Sequence, residues 1–363
     1  MQTLFLVAAG VVLGVLVLGA IAFVWIKKKL GGVCESLMQI VQASGLPPFR
    51  IHLDAQKGAE WNHPEKLEQA TAHIETVGYV RIGDYDVREM DDVLIRAFSH
   101  PETGFFFVLY DHDQAGVFAD AFRDFSDGTS ITISTAPETG MARPTHAPLF
   151  RLEADVCEEE TAQQLHDQLA HEAIGRETDP TRPEEFAHMY SEFYAQEMDW
   201  RIARGGVTRL EIERVAEVSG QPAPSDAQVE MIQGIWSCAI GSFIDEEVER
   251  IWLAESNLGA VEWESMRDRI KVVHEHAKAE ELAEDLAWSI VDAQTNGEDD
   301  FETEAAHNAA VEKLEAAFES RSIRDGFEQA MNEMPEKSRY RRVGSVEDPW
   351  PADVWVAPEE PDF

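Results

Sequence analysis

The sequence predicts an α+β protein: an N-terminal transmembrane helix, a small antiparallel β-meander domain with one helix, an all-α acidic helical domain and an extended C-terminal tail. Three observations predict this fold class. A long uncharged run comes first, short β-branched and aromatic runs separated by turn residues follow, and acid-rich segments with helical periodicity fill most of the second half. The predicted boundaries are 1–29 for the anchor with its basic flank, 30–45 for a juxtamembrane linker, 46–155 for the α+β domain, 156–336 for the helical domain and 337–363 for the tail.

The predicted anchor is the uncharged run at residues 3–26. As a helix it would be about 36 Å long, which is enough to cross a lipid bilayer. Lys27, Lys28 and Lys29 follow it, and the positive-inside rule predicts a single-pass protein of the cytoplasmic (inner or plasma) membrane, with the N-terminus outside and the bulk of the chain in the cytoplasm. An exported domain is the alternative. Gly10 and Gly14 form a GxxxG pair through which two copies could dimerise.

Residues 46–155 carry the strand signals. Pro64 predicts the start of one helix and Gly78 its end. Short turns join the runs that follow, and short connections link antiparallel neighbours, so a meander is expected. Phe105, Phe106 and Phe107 place aromatic rings on both faces of one strand, which predicts that this strand is central. The predicted strands lie at 79–82, 93–98, 105–110, 117–122 and 130–134.

Charge and cysteine content exclude several classes of protein. The chain has 69 acidic and 30 basic residues and three cysteines, so it is neither a small disulfide scaffold nor a chain that attracts nucleic acid. Residues 156–336 hold 43 of the acidic and 14 of the basic residues, a net charge of -29. This localised charge predicts a protein partner with a basic surface. Adaptation to a saline habitat is the alternative explanation of the acidity.

The C-terminal tail combines arginine, proline and tryptophan. Tryptophan and arginine are the side chains most enriched at binding hot spots, so Trp350, Trp355, Arg341 and Arg342 are the predicted partner contacts. Proline at this density is not compatible with a continuous helix. The tail is therefore expected either to dock on the surface of its own chain as a strap or to remain free as a docking peptide.

Two Glu-x-x-His spacings suggest an alternative chemistry. Glu185 with His188 and Glu304 with His307 each place a carboxylate and an imidazole on one side of a predicted helix. Two such helices can contribute to a carboxylate-bridged di-metal site in a helical bundle. About one such spacing is expected by chance in a segment so rich in glutamate, and solvated polar faces are the favoured explanation of both pairs. No phosphate loop, dinucleotide fingerprint or nucleophile elbow is present in the sequence, so no cofactor is predicted.

These observations favour an accessory or interaction protein over an enzyme. The predicted function is that of a single-pass membrane-anchored protein whose cytoplasmic acidic domain tethers or scaffolds a partner at the membrane, with residues 3–26 in the bilayer. The alternatives are a membrane-bound metalloenzyme with a carboxylate/histidine site in the helical domain, or a subunit of a larger membrane complex.

Overall fold

The computed structural model describes residues 46–358, apart from residues 91–92, 113–114, 179–181, 296–300, 335, 337–338 and 348. The chain divides into two compact units. Unit 1 ends at Gln233 and unit 2 begins at Gly234.

Unit 1 is built on a seven-stranded sheet whose strands lie in the same order in space as in the sequence. Neighbouring strands are antiparallel from β1 to β6, and β7 runs parallel to β6. The strands are β1 (Leu53–Gln56), β2 (Val80–Val87), β3 (Val93–Ser99), β4 (Phe106–His112), β5 (Gly116–Asp124), β6 (Ser130–Ser134) and β7 (Leu149–Arg151). The helices are α1 (Pro64–Thr76), α2 (Thr161–Glu172), α3 (Phe186–Ala203), α4 (Arg209–Val218) and the first part of α5 (Asp226–Ser256).

Strand β4 is the centre of the sheet, as the three consecutive phenylalanines predict. Phe105 and Phe107 belong to one core cluster with apolar side chains of α1 and α2. Phe106 belongs to a second cluster, on the opposite face, with Phe186 of α3. Side chains alternate between the two faces of a strand, so consecutive aromatic residues fill two separate cores. The sheet is therefore covered by helices on both faces.

Unit 2 contains a three-stranded antiparallel sheet in the order β8-β10-β9. Val273 and Trp355 lie in a core cluster with side chains of three helices on one face of this sheet. At Gly344 a Cβ atom would come within 2.6 Å of the Trp252 indole of α5, so this position has no room for a side chain. Besides the rest of α5, the elements are α6 (Ala260–Met266), β8 (Ile270–His274), α7 (Ala279–Thr295), α8 (Phe301–Ser320), α9 (Ile323–Glu333), β9 (Arg341–Val346) and β10 (Ala352–Val356).

The predicted fold class is wrong in the second half of the chain. The structure is mixed α/β there: β8 interrupts the segment expected to be all-α, and the expected extended tail supplies β9 and β10. The meander domain also differs from the prediction, since it has seven strands, one parallel pair and more than one covering helix. Strand β10 pairs with β8, which lies some 80 residues earlier, and local sequence patterns carry no signal of such a distant pairing.

The prediction of a single-pass transmembrane protein of the cytoplasmic membrane is contradicted. In the described part of the chain, which is residues 46–358 without the gaps given above, no helix combines the length and the apolar character that a bilayer crossing requires. The expected span at residues 3–26, including Gly10 and Gly14, lies outside the described residues.

Candidate functional site

The two tryptophans predicted to contact a partner are buried in unit 2. Trp350 is 3% exposed and meets Phe243 of α5 edge to face, with ring centroids 5.2 Å apart. Trp355, on β10, is 6% exposed and lies 5.2 Å from the ring of Phe327 of α9. Both side chains therefore contribute to the core of their own chain in this structure, as expected for a self-docked tail.

The two arginines predicted alongside them lie at the start of β9. Arg341 is exposed, and Arg342 forms an ion pair with Asp353 of β10. Asp353 is buried, and it also accepts two hydrogen bonds of 3.0 Å from the guanidinium of Arg324. Arg342 therefore compensates a buried carboxylate, which ties β9 and α9 to β10.

The two Glu-x-x-His pairs lie in different units. Glu185 stands in a 3-10 turn before α3 and pairs with Arg182, while His188 is exposed on α3. Glu304 and His307 lie on α8 of unit 2. Within the described part of the chain, no three His, Cys, Asp or Glu side chains gather as ligands for one metal ion. The metal site stays a prediction.

Helices α7 and α8 pack against each other, and both are rich in acidic residues. We call them the acidic helix pair. Together they contain ten Asp and Glu residues, one lysine, which is Lys313, and no arginine. That lysine forms a 3.0 Å ion pair with Glu333 of α9. The surface of the pair is therefore strongly negative.

The apolar side chains of the pair explain why its carboxylates face outward. Leu282, Leu286, Leu314 and Phe318 are buried in the core cluster of unit 2. They recur at intervals of four residues on each helix, so the carboxylates at the other helical positions are directed to solvent. The outward acidic residues without masked side chains are Glu280, Glu281, Glu284, Asp285, Glu304, Glu312, Glu315 and Glu319.

Few of these carboxylates are neutralised. Asp285 pairs with Lys271, and Glu281 pairs with Lys278 at 2.6 Å. The other six form no ion pair with any residue in the described ranges. Like charges at this density repel one another, so a cationic partner would relieve an electrostatic cost that the folded unit carries by itself.

One aromatic pair stands on the same surface. Trp288 of α7 stacks on His307 of α8, with ring centroids 4.1 Å apart and an angle of 29° between the rings. The tryptophan remains 46% exposed, and the Nε2 atom of His307 is buried without a hydrogen-bond partner in the described residues. The sequence predicted His307 as a metal ligand, and the predicted partner contacts did not include Trp288. The available signal was its spacing, since Trp288 follows Glu281, Glu284 and Asp285 at intervals of seven, four and three residues.

A second group of titratable residues lies in unit 1. The hydroxyl of Tyr110 on β4 donates to Asp120 Oδ2 of β5 at 3.0 Å and is hydrogen-bonded to the hydroxyl of Tyr190 of α3. Burial raises the pKa of Asp120 and of both tyrosines. These contacts join the sheet to α3. The three side chains therefore form a structural link between β4, β5 and α3.

Comparison with known proteins gives no relative for this chain: no protein-family model, curated protein or solved structure matches it.

Proposed function

We propose that this chain is an interaction module that binds a basic partner protein through the acidic helix pair of unit 2. The observation that carries the proposal is the set of six outward glutamates on two contacting helices that no basic side chain in the described residues neutralises. A partner that presents lysine or arginine would replace mutual repulsion by attraction.

The mechanism is electrostatic attraction followed by short-range contact. A single exposed ion pair contributes about 0.2–1 kcal/mol, so affinity requires several pairs that form together. A clustered negative surface also raises the association rate of a cationic partner, and this effect falls as salt increases. Nothing in the mechanism requires catalysis, and the proposal therefore predicts binding without turnover.

The first prediction compares two variants that lose the same number of charges. Glu284, Glu304 and Glu312 are changed to glutamine in one variant, and the exposed residues Glu158, Glu159 and Glu160 of unit 1 are changed to glutamine in the control. A labelled basic peptide of about 15 residues, with lysine or arginine at every third or fourth position, is titrated with each full-length protein in a fluorescence anisotropy experiment. We expect the first variant to bind about tenfold more weakly than the unchanged protein, because three ion pairs are lost.

The control variant is expected to bind within about a factor of two of the unchanged protein, as surface changes away from the interface do. Equal losses in both variants would show that the peptide responds to net charge alone, and would contradict a binding surface on α7 and α8. Absence of measurable binding at about 0.05 M salt would contradict the proposed function altogether, because screening is weak under that condition.

A further inference from the structure

We infer that Trp288 is the anchoring residue of this surface, and that it receives one lysine or arginine side chain of the partner between Glu284 and Glu304. The inference rests on the proposed function, since it names the residue at which the basic partner docks. Trp288, in place of the buried Trp350 and Trp355, is then the tryptophan available for contact with a partner.

Exposure distinguishes Trp288 from the other tryptophans. Eight tryptophans lie in the described residues, and Trp288 is the one among them that falls in the exposed class. It is also the one aromatic side chain among the large exposed hydrophobic residues of that part of the chain, the rest being aliphatic. An indole left in water costs free energy in the free protein, and contact with a partner recovers that cost.

The stack on His307 holds the indole in place. A ring fixed by a neighbour at 4.1 Å loses less conformational entropy on binding than a freely rotating side chain. The contact also spans the two helices, because Trp288 belongs to α7 and His307 to α8. The anchor is therefore organised before a partner arrives.

The carboxylates next to the stack favour a cation over a neutral apolar group. Glu284 precedes Trp288 by four residues, and Glu304 precedes His307 by three, so each shares a helix surface with its aromatic neighbour. Both are exposed and form no ion pair with the described residues. A cation near an indole gains from the ring quadrupole, and neighbouring carboxylates add direct attraction.

Two other kinds of ligand fit this surface less well. An anion would be repelled by Glu284 and Glu304. A purely apolar segment could cover the indole, but it would desolvate both carboxylates without compensating their charges. A lysine or arginine with its aliphatic stem along the indole and its charged end at the carboxylates satisfies both parts of the surface.

The test measures the affinity of the basic peptide described above for the full-length Trp288→Ala and Trp288→Phe variants. We expect Trp288→Ala to bind about tenfold more weakly, because cation–π and contact energy are both lost. Trp288→Phe keeps a ring with a weaker quadrupole, so we expect its affinity to lie between those of the unchanged protein and Trp288→Ala. The expected loss relative to the unchanged protein is about two- to fivefold. Val261→Ala, at a position that is 84% exposed on α6, serves as the control for loss of an exposed apolar side chain.

The outcomes separate this inference from the proposed function. If Trp288→Ala binds as well as the unchanged protein while the Glu284, Glu304 and Glu312 variant binds more weakly, the anchor is overturned and the acidic surface stands. If both bind as well as the unchanged protein, the proposed function fails too. Equal loss in Val261→Ala would also overturn the anchor. Thermal unfolding of each variant verifies that reduced binding does not arise from reduced folding.

Discussion

Replacement of Trp355 by alanine is expected to lower the free energy of unfolding of unit 2 by about 3 kcal/mol. The side chain is 6% exposed and packs in the core cluster beside Phe327. Its indole N–H is buried without a hydrogen-bond partner in the described residues, and removal of the ring also removes that cost. The expected loss therefore lies at the low end of the range for large aromatic residues in protein cores, about 3–5 kcal/mol.

The matched control is the same chemical change at Trp288. Because that side chain is 46% exposed, its removal is expected to cost about 1 kcal/mol or less, mainly through the lost stack on His307. Urea denaturation of the two full-length variants measures the difference. If Trp288→Ala and Trp355→Ala destabilise the protein equally, the assignment of one tryptophan to the core and the other to a binding surface is wrong.

Replacement of Glu211 by glutamine is expected to destabilise unit 1 by about 2–3 kcal/mol at neutral pH. Burial alone would raise the pKa of this carboxylate, but its hydrogen bonds outweigh burial and lower the pKa from 4.5 to about 2. Oε1 accepts from the backbone N–H of Ala142 at 3.0 Å and from Arg201 at 3.2 Å, and Arg204 donates to the same oxygen. Oε2 accepts from the N–H of Thr208, which completes the capping box of α4.

The pKa shift fixes the direction of the pH dependence. The pKa of Glu211 is lower in the folded state than in the unfolded state, so the unfolded state binds the proton more readily. The stabilisation is present in full above pH 4.5 and is lost as the pH falls towards about 2. The difference in stability between the unchanged protein and Glu211→Gln should therefore shrink across this acidic range.

The control for this prediction is Glu213→Gln on the same helix. The Glu213 side chain is 43% exposed and lies 3.8 Å from Arg209, so its replacement is expected to change stability by less than about 0.5 kcal/mol. Urea denaturation at pH values from about 3 to 7 measures both variants. A stability difference between Glu211→Gln and the unchanged protein that stays constant over this range would contradict the ionised network.

Local patterns in the sequence predicted the five central strands of the unit 1 sheet, but neither of its edge strands, β1 and β7. All five predicted strands are present, and the segment at 130–134 coincides with β6. Pro64 begins α1, and the helix ends shortly before Gly78, which adopts a φ of 103°. Such elements depend on neighbouring residues: an alternating run, a turn, a proline in the first turn. They can therefore be read without knowledge of the tertiary fold.

The sheet of unit 2 could not be predicted in the same way. The segment Ile270–His274 is short and stands between helices, and Arg341–Val346 contains two arginines and a glycine. Ala352–Val356 follows a proline-containing stretch that is typical of a loop. Strand β10 pairs with its sequence neighbour β9 and also with β8, which lies some 80 residues earlier. Local propensity does not encode that pairing.

The candidate site was predicted in part. The charge distribution directed attention to the second half of the chain, and α7 and α8 lie within the segment that carries the charge of -29. The choice of tryptophan depended on burial, which composition does not reveal. Trp350 and Trp355 lie in the core, while Trp288 lies on the helix face opposite Leu282, Leu286 and Ile290. The four-residue spacing of these apolar residues is the signal in the sequence that places Trp288 on the outer face of α7.

The most direct test of the central claim is a carbodiimide cross-linking experiment with the full-length protein and the lysine form of the basic peptide. The carbodiimide activates a carboxylate, and the neutral form of a nearby lysine amine attacks it to form an amide with release of the urea. Mass spectrometry then identifies the carboxylate. We predict that the amide bonds form mainly at the six glutamates of the acidic helix pair that lack ion pairs, with Glu284 and Glu304 prominent. Cross-links distributed over the exposed carboxylates of both units would contradict a defined binding surface on α7 and α8.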